Sequence, residues 1–288
     1  MTILRSLLFV PGNKESMLAK ALTLMPDAFV PDMEDSVPAA EKPNARATIA
    51  ALLPRLAATG VPVIPRVNSL DTPYVHDDLA AVVSPHVFAI SIGKVTGPAD
   101  VAAVSLEIGK LEARNELPPG RIKLLPWIET AEAIVNCSAI CRASERIVGV
   151  AFGGEDFAHD MGIERIEDET QVLYARSQLC VAARAAHVLA LDTPYFKLRD
   201  SDGLRANALA AKRLGFKGKF AIHPEQVAPL NECFSPSPQE VAHARRVIAA
   251  FEEAEAQGRG STSLDGWVID VPVVKRARAL LELAARER

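Results

Sequence analysis

The chain lacks the features that mark membrane, nucleic-acid-binding and disulfide-rich proteins. None of its apolar runs approaches the roughly 20 residues that a membrane helix needs. Its formal net charge is −4 without any block of like charge, so no nucleic acid or membrane partner is expected. The four cysteines form no CxxC pair, which is typical of a reducing cytosol. The opening apolar run has no cleavage site, so we expect a cytoplasmic protein. Because the charge disfavours nucleic acid and membranes, we expect small-molecule partners.

Several signatures of catalysis are also missing. No GxSxG elbow occurs, which disfavours that class of hydrolase, and GFKGKF lacks the spacing of a Walker loop. None of the six histidines pairs with another at metal-ligand spacing. Cys137 and Cys141 lie one helical turn apart in an apolar stretch and are interpreted as buried cysteines rather than metal ligands.

The sequence does contain a regular alternation of apolar runs and amphipathic segments. Eight runs are nearly continuous in apolar residues, as strands covered on both faces are: SLLFV, DAFVP, VPVIPRV, HVFAISI, IKLLPWI, RIVGVAF, HVLAL and KFAI. Most are separated by segments with apolar residues every three or four positions. We therefore predict a (β/α)8 TIM barrel over residues 1–232 and a C-terminal helical extension over 233–288, in which STSLDGWVIDVP is a loop.

Polar residues stand where the apolar runs end. They are Asp32, Arg66, Lys94, Glu129, Asp156, Asp192 and His223. Because the carboxyl ends of barrel strands converge on one face, we expect these residues to share a site, with His223 a hydrogen-bonded residue of the rim.

Two of these strand-end residues suggest a metal site. Glu129 and Asp156 follow the fifth and sixth runs, and two carboxylates with open positions suit Mg²⁺. Taken alone, Glu129 is equally well explained as the acidic start of a helix. The pair Gly153-Gly154 before Asp156 favours the metal site, because glycine lets the backbone approach a ligand closely. Glu155 is a candidate for supporting the metal ligands.

Two cations stand at the same predicted rim. Arg66 suits a bidentate grip on a substrate carboxylate or oxyanion, and its alternative role is pairing with the acidic cluster Asp32, Glu34 and Asp35. Lys94 is a candidate substrate contact. A Schiff base is one role for it, but a salt bridge is at least as well supported, because nothing nearby in the sequence indicates that Lys94 is desolvated.

Nine blocks of the sequence carry a resemblance to a known family. In order they are RSLLFVPG, VPDMEDSV, PRVN, GKV, IET, GGEDFAHDMG, LYAR, LGFKGKFAIHPEQV and DGWVIDVPVVKRA. The chain resembles the citrate lyase β-subunit-like proteins of the HpcH/HpaI aldolase superfamily from about Arg5 to about Ala279. The resemblance implies a TIM barrel that uses Mg²⁺ to make or break a carbon–carbon bond in an acyl thioester, typically yielding acetyl-CoA and a 2-oxo acid.

The resemblance also implies roles for individual residues. Glu129 and Asp156 match the metal ligands, and Arg66 matches the substrate-binding arginine. Two cations that flank the first strand and an aspartate of the tail complete the set: Arg5 and Lys14 match positions that hold CoA phosphates, and Asp270 matches an acid/base aspartate supplied by a neighbouring subunit. Such sharing requires at least a dimer, and the resemblance suggests a trimer or a dimer of trimers.

The sequence departs from the family pattern at two places and leaves several functions open. Gly93 precedes Lys94 where relatives usually have proline, and the tail reads DGWVID where a lysine-methionine pair is commoner. Both changes bear on the acyl group. The favoured function is a free-standing lyase for malyl-CoA, citramalyl-CoA or citryl-CoA. The alternatives are a citrate lyase subunit acting on an acyl-carrier-protein thioester, a pyruvate-type class II aldolase, and a binding or scaffold protein.

Overall fold

Eight parallel strands close into the predicted barrel. A computed structural model describes residues 2–166 and 168–286, and within it each strand pairs with the next in chain order while β8 returns to β1. The barrel strands are β1 (Ser6–Pro11), β2 (Ala28–Asp32), β3 (Arg66–Val67), β4 (Ala89–Ile92), β5 (Lys123–Ile128), β6 (Gly149–Phe152), β7 (Leu189–Asp192) and β8 (Gly218–Ala221). This confirms the fold expected from the eight apolar runs.

Helices follow the strands. They are α1 (Glu15–Ala21), α2 (Lys42–Ala57), α3 (Val75–Val82), α4 (Pro98–Arg114), α5 (Ala131–Ile140), α6 (Gly154–Met161), α7 (Leu173–Ala185), α8 (Ser201–Leu214) and α9 (Val227–Phe234). Short 3-10 turns occupy Ala39–Glu41, Thr170–Val172 and Pro224–Gln226. Helix α8 ends at Gly215, whose φ of 119° is the left-handed conformation that glycine adopts readily. No helix within the described ranges is both long and apolar enough to cross a bilayer.

The third strand is much shorter than the apolar run that predicted it. VPVIPRV forms a ladder only at Arg66–Val67, preceded by an isolated bridge between Val63 and Phe29. Pro62 and Pro65 explain the difference, because proline has no N–H to donate to a neighbouring strand. Both prolines still accept hydrogen bonds through their carbonyl groups, at 2.9 Å each.

The barrel interior is packed with apolar side chains, with an aromatic layer among them. Phe9, Trp127 and Phe220 lie with ring centres 4.5–5.8 Å apart. The indole N–H of Trp127 donates to Ser91 Oγ at 2.8 Å, so the one polar atom of this buried ring is satisfied. This layer forms a rigid floor below the polar residues at the carboxyl ends of the strands.

The chain divides into two compact units after Asn231. The second unit contains α10 (Pro238–Ala256), the strands β9 (Thr262–Leu264) and β10 (Trp267–Ile269), and α11 (Val271–Arg286). The prediction of a loop for STSLDGWVIDVP was wrong, because β9 and β10 pair as an antiparallel hairpin. Asp265 and Gly266 make the turn with φ angles of 53° and 81°, the left-handed pair that a two-residue hairpin loop requires.

Candidate active site

A cavity of about 500 Å³ lies at the carboxyl ends of the barrel strands. Acidic, basic and aromatic side chains contribute to its wall, together with the backbone of the loop between β6 and α6. The lining residues are Phe9, Pro11, Asp32, Asp35, Ser36, Arg66, Trp127, Glu129, Gly153, Gly154, Glu155, Asp156, Thr193, Pro194, Phe196 and Ile222. Four of the seven predicted strand-end residues, Asp32, Arg66, Glu129 and Asp156, therefore meet at one face, as the geometry of a parallel barrel allows.

Arg66 is held in one orientation by Asp32, the residue opposite it in the β2–β3 ladder. The guanidinium Nε and Nη2 donate to the two carboxylate oxygens of Asp32, both at 2.7 Å. Burial alone would raise the pKa of Asp32, but Arg66 holds it below its usual value, so the carboxylate stays ionised. The guanidinium also lies over the Phe9 ring, 4.7 Å from its centre.

The acidic cluster extends beyond Asp32. Nη1 of Arg66 lies 2.8 Å from Glu34 and 3.2 Å from Asp35. Burial raises the pKa of Glu34 to about 7, with Arg66 opposing the rise. Arg66 thus pairs with all three acids and also lines the cavity. The two roles considered for it, ion pairing and substrate contact, therefore do not exclude each other.

Glu129 is a buried carboxylate in a close-fitting pocket of backbone. Its side chain accepts a hydrogen bond from the backbone N–H of Lys94 at 2.5 Å. A Cβ built on Gly153 would stand 2.3 Å from Oε2 of Glu129, and one on Gly93 would stand 2.9 Å from Oε1. Burial first, and then the charges of Asp156 and Glu34, raise the pKa of Glu129 to about 8.

Asp156 and Glu155 lie in the first turn of α6 and point to different partners. Burial and the charge of Asp35 raise the pKa of Asp156. Glu155 instead forms an ion pair with Arg165 at 2.7 Å. Both acids line the cavity, but among the described residues only Glu155 forms an ion pair.

Lys94 forms the salt bridge that was weighed against a Schiff base. Its Nζ lies 3.1 Å from Glu34 and 3.7 Å from Asp35. Burial works to lower the pKa of Lys94, but these carboxylates raise it above its ordinary value, so the amine stays protonated. A protonated amine is not a nucleophile, and this geometry does not favour a Schiff base.

Three other predicted residues lie in different settings. Arg5 precedes β1 and pairs with Asp27 at 2.8 Å, which places it at the amino end of the barrel, opposite the cavity. Lys14 is exposed and follows β1 on the cavity side. Asp270 belongs to the second unit, where its carboxylate accepts from the N–H of Val273 at 3.2 Å and caps α11.

The expectation that Asp192 faces the same site was wrong. Leu191 packs in the barrel interior, and successive strand residues face opposite sides, so Asp192 points outward. There it is paired with Lys219 at 2.6 Å. His223, by contrast, lies in the loop after β8 and accepts from the N–H of Glu225 at 3.3 Å. The predicted hydrogen-bonding role of His223 in the rim matches this contact.

Sequence reasoning missed two parts of the site. Thr193 directly follows β7, as the predicted site residues follow their own strands, and its Oγ1 accepts from the N–H of Gly154 at 3.2 Å. That position was the available signal. Phe9 and Trp127 lie inside apolar runs, and only the alternation of strand residues indicates that they face the interior under Arg66.

The donor set fits a small divalent cation. Nowhere in the described residues do three or more histidine, cysteine or carboxylate side chains gather as a metal cage. Glu129 and Asp156 instead line the cavity as two carboxylates, and two carboxylates with open positions are the sparse oxygen ligation that Mg²⁺ accepts. Burial first, and then the charges of neighbouring carboxylates, raise the pKa of both groups, and a bound cation would offset both effects. On the strength of these oxygens, the residues fit the magnesium expected from the sequence.

Comparison with known proteins identifies the family. The model of the HpcH/HpaI aldolase/citrate lyase family matches residues 5–224. Citrate lyase subunit beta of Escherichia coli is 37% identical over 97% of this chain and 93% of its own. The mitochondrial citramalyl-CoA lyase of Rattus norvegicus is 34% identical over 97% of this chain and 86% of its own.

A solved structure gives the same result. The protein CitE of Mycobacterium tuberculosis, in complex with magnesium, acetoacetate and coenzyme A, superimposes with a TM-score of 0.79 at 27% identity, over 97% of each chain. The chain therefore belongs to the HpcH/HpaI aldolase/citrate lyase family, and it is an enzyme of the lyase class.

Proposed function

We propose that the chain is a Mg²⁺-dependent carbon–carbon lyase that cleaves a 3-hydroxyacyl-CoA to acetyl-CoA and a 2-oxo acid. Malyl-CoA, citramalyl-CoA and citryl-CoA are the candidate substrates. The observation that carries the proposal is the meeting of Glu129, Asp156 and Arg66 in one cavity above a rigid aromatic floor. The coenzyme A and magnesium bound by the Mycobacterium tuberculosis relative support it.

Glu129 and Asp156 would hold the metal. When bound, Mg²⁺ supplies Lewis-acid polarisation of the hydroxyl and carboxylate oxygens beside the bond that breaks. The backbone N–H of Lys94 fixes one oxygen of Glu129, so this ligand needs little reorganisation. The tight approach of Gly93 and Gly153 keeps the Glu129 side chain in the same place.

Arg66 would stabilise the negative charge of the departing group. As the carbon–carbon bond breaks, the hydroxyl passes its proton to a base, either Glu34, whose pKa is about 7, or a water molecule in the cavity, and becomes the carbonyl of the 2-oxo acid. The bonding electrons pass to the thioester enolate. The four short contacts of Arg66 with Asp32, Glu34 and Asp35 use at most four of its five N–H donors among the described residues. At least one donor remains for an oxyanion.

Asp270 would protonate the enolate carbon and so complete acetyl-CoA. We propose that it serves the site of a neighbouring subunit, in a trimer or a dimer of trimers. Trp267 and Val268 just before it are 77% and 70% exposed, and large apolar side chains of this kind are enriched in interfaces. General acid catalysis of this kind contributes roughly 10²–10⁴-fold to a rate.

The test is cleavage of malyl-CoA, both enantiomers of citramalyl-CoA, and citryl-CoA with Mg²⁺ or EDTA, trapping the 2-oxo acid. We expect turnover of at least one ester, lost in EDTA and in Asp156→Asn. Asp270→Asn should lower kcat by roughly 10²–10⁴-fold while its amide oxygen still caps α11. Asp265→Asn, in the exposed turn of the same hairpin, is the matched control and should leave kcat unchanged.

Subunit sharing has its own test. Asp156→Asn and Asp270→Asn lose different halves of a shared site, so refolding them together should regenerate some intact sites and restore part of the activity. If each site takes Asp270 from its own chain, the mixture of the two variants stays inactive.

Action on an acyl-carrier-protein thioester is the second candidate, favoured by the likeness to citrate lyase subunit beta. The same residues would perform the same cleavage. Silence across the CoA panel, with turnover of a citryl-acyl-carrier-protein, would establish this function. A pyruvate-type aldolase would instead cleave a hydroxy-2-oxo acid that carries no thioester, so one such acid belongs in the panel.

A further inference from the structure

Six charged side chains of alternating sign form a row of ion pairs. The row runs from Lys219 of β8 to Glu155 in the first turn of α6, next to Asp156. In order they are Lys219, Asp192, Arg176, Glu169, Arg165 and Glu155. Three are cations and three are carboxylates, so the set is neutral. The six side chains are called the charge chain below.

The end of the charge chain at Lys219 is held in place by burial. Lys219 of β8 and Asp192 of β7 are both 0% exposed, and Arg176 of α7 is 3% exposed. Arg176 donates to Asp192 at 2.8 Å and to Glu169 at 2.7 Å. Because an unpaired buried charge is costly, these side chains have little freedom to move, and they form an anchor between the sheet and α7.

The other end of the charge chain, at Glu155, lies in the first turn of α6. Arg165 forms ion pairs with Glu169 on one side and with Glu155 on the other, the latter at 2.7 Å. A Cβ built on Gly154 would stand 3.1 Å from Nη1 and 3.2 Å from Cζ of Arg165, so the guanidinium lies directly against the backbone of this turn. Arg165 is therefore the link between the buried anchor and α6.

Asp156 depends on this turn for its position. In the described part of the chain no side chain donates a hydrogen bond to its carboxylate, and Lys94 and Arg66 act on it only through their charges. Its place in the cavity is consequently set by the backbone of residues 153–156. This backbone is held directly by Thr193, which accepts from the N–H of Gly154, and through a side chain by Arg165, which donates to the carboxylate of Glu155.

We infer that Arg165 is a positioning residue that holds Asp156 in the geometry needed to bind a divalent cation. The inference rests on the metal-binding role proposed for Asp156. Arg165 acts through the backbone of α6 and through Glu155, and it contacts neither the metal nor the substrate.

The sign of the effect separates positioning from simple electrostatics. Arg165 is a cation near a cation site, so if it acted only through its charge, Arg165→Met would tighten Mg²⁺ binding. If it positions Asp156, the same substitution weakens binding, and loss of groups that orient metal ligands typically costs 10–100-fold in affinity. We therefore expect Arg165→Met to raise the Kd for Mg²⁺ by roughly 10-fold.

The matched control is Arg146→Met. Arg146 is 12% exposed, against 14% for Arg165, and it pairs with the buried Glu112 at 2.7 Å. It precedes β6 and so lies at the amino end of the barrel, away from the cavity. Arg146→Met should lower the melting temperature at least as much as Arg165→Met does, with the Kd for Mg²⁺ unchanged. Arg146→Lys replaces it if the first control does not fold.

The experiment is titration calorimetry of Mg²⁺ into the wild-type protein and these variants, with hydrogen exchange of the segment 153–161. Arg165→Lys, which keeps the charge but not the planar fork, should fall between the wild type and Arg165→Met. An unchanged or tighter Kd in Arg165→Met overturns the inference. Failure of the wild type to bind Mg²⁺ overturns the proposed metal site instead. In that case hydrogen exchange is the remaining test of the inference. Faster exchange in the first turn of α6 in Arg165→Met, but not in the Arg146 variant, would support it, and equal exchange in both would overturn it.

Discussion

The metal-free protein should lose stability as the pH rises, and Glu129 contributes more to this loss than Glu34, whose pKa is raised to about 7. The pKa of Glu129 is about 8 in the folded protein against an ordinary value of 4.5. A group whose folded pKa is raised favours the folded state while it is protonated, so the stabilisation is complete below about pH 4.5 and is lost as the pH rises through about 8. At ~1.4 kcal/mol per pKa unit, the full cost of the ionised carboxylate is about 5 kcal/mol.

Glu129→Gln removes this cost and keeps the local geometry. The amide oxygen can still accept from the N–H of Lys94, and the side chain has nearly the same volume. Compared with Glu129→Gln, ionisation of Glu129 lowers the free energy of unfolding of the wild type by about 2 kcal/mol at about pH 6 and by about 5 kcal/mol at about pH 8.5. In EDTA, the free energy of unfolding of the variant should therefore rise relative to that of the wild type by about 3 kcal/mol across this pH range. This corresponds to a difference on the order of 5 °C in melting temperature.

The assay is differential scanning calorimetry at several pH values, in EDTA and in excess Mg²⁺. Mg²⁺ should raise the melting temperature of the wild type, because a ligand that binds only the folded state stabilises it, and should have little effect on Glu129→Gln. Glu132→Gln, which changes an exposed carboxylate three residues later, is the matched control. A gap between Glu129→Gln and the wild type that is constant or shrinks with pH would refute the reasoning.

Two further substitutions test the site and its surroundings. Gly153→Ala places a methyl group 2.3 Å from Oε2 of Glu129 and should abolish measurable Mg²⁺ binding in calorimetry with the fold retained by circular dichroism; normal binding would show that the pocket around Glu129 yields. Lys219→Met leaves the fully buried Asp192 short of a partner and should lower the free energy of unfolding by about 3 kcal/mol in urea, against less than about 0.5 kcal/mol for Lys110→Met in an exposed pair.

The fold was predictable because the eight strands are buried on both faces, and this burial requires long apolar runs that are visible without any tertiary information. The errors come from features that apolarity does not record. Pro62 and Pro65 shorten β3 by removing donors, although VPVIPRV is apolar throughout. The hairpin of β9 and β10 has strands of three residues each, and only the Asp265-Gly266 turn signals it.

The side of a strand to which a residue points was harder to predict than its position along the strand. Arg66 and Asp192 both end apolar runs, yet one lines the cavity and the other lies outside the barrel. Strand alternation distinguishes them only when the phase of each strand is known, and runs that are apolar on both faces do not reveal the phase. Arg165 is harder still, since its role depends on the buried Glu169 and on contact with Gly154.

The charge balance of the cavity argues for an enzyme and against a scaffold protein. Apart from Glu155, which pairs with Arg165, five carboxylates lie in or beside the cavity with two cations: Asp32, Glu34, Asp35, Glu129 and Asp156 with Arg66 and Lys94. The pKa values of Glu34, Glu129 and Asp156 are raised in consequence of burial and of this excess. The raised pKa values mean that the ionised groups destabilise the folded chain, and perturbed groups of this kind cluster at functional sites. A bound divalent cation would offset this charge, which links the buried acids of the site to the metal-dependent lyase chemistry proposed for the chain.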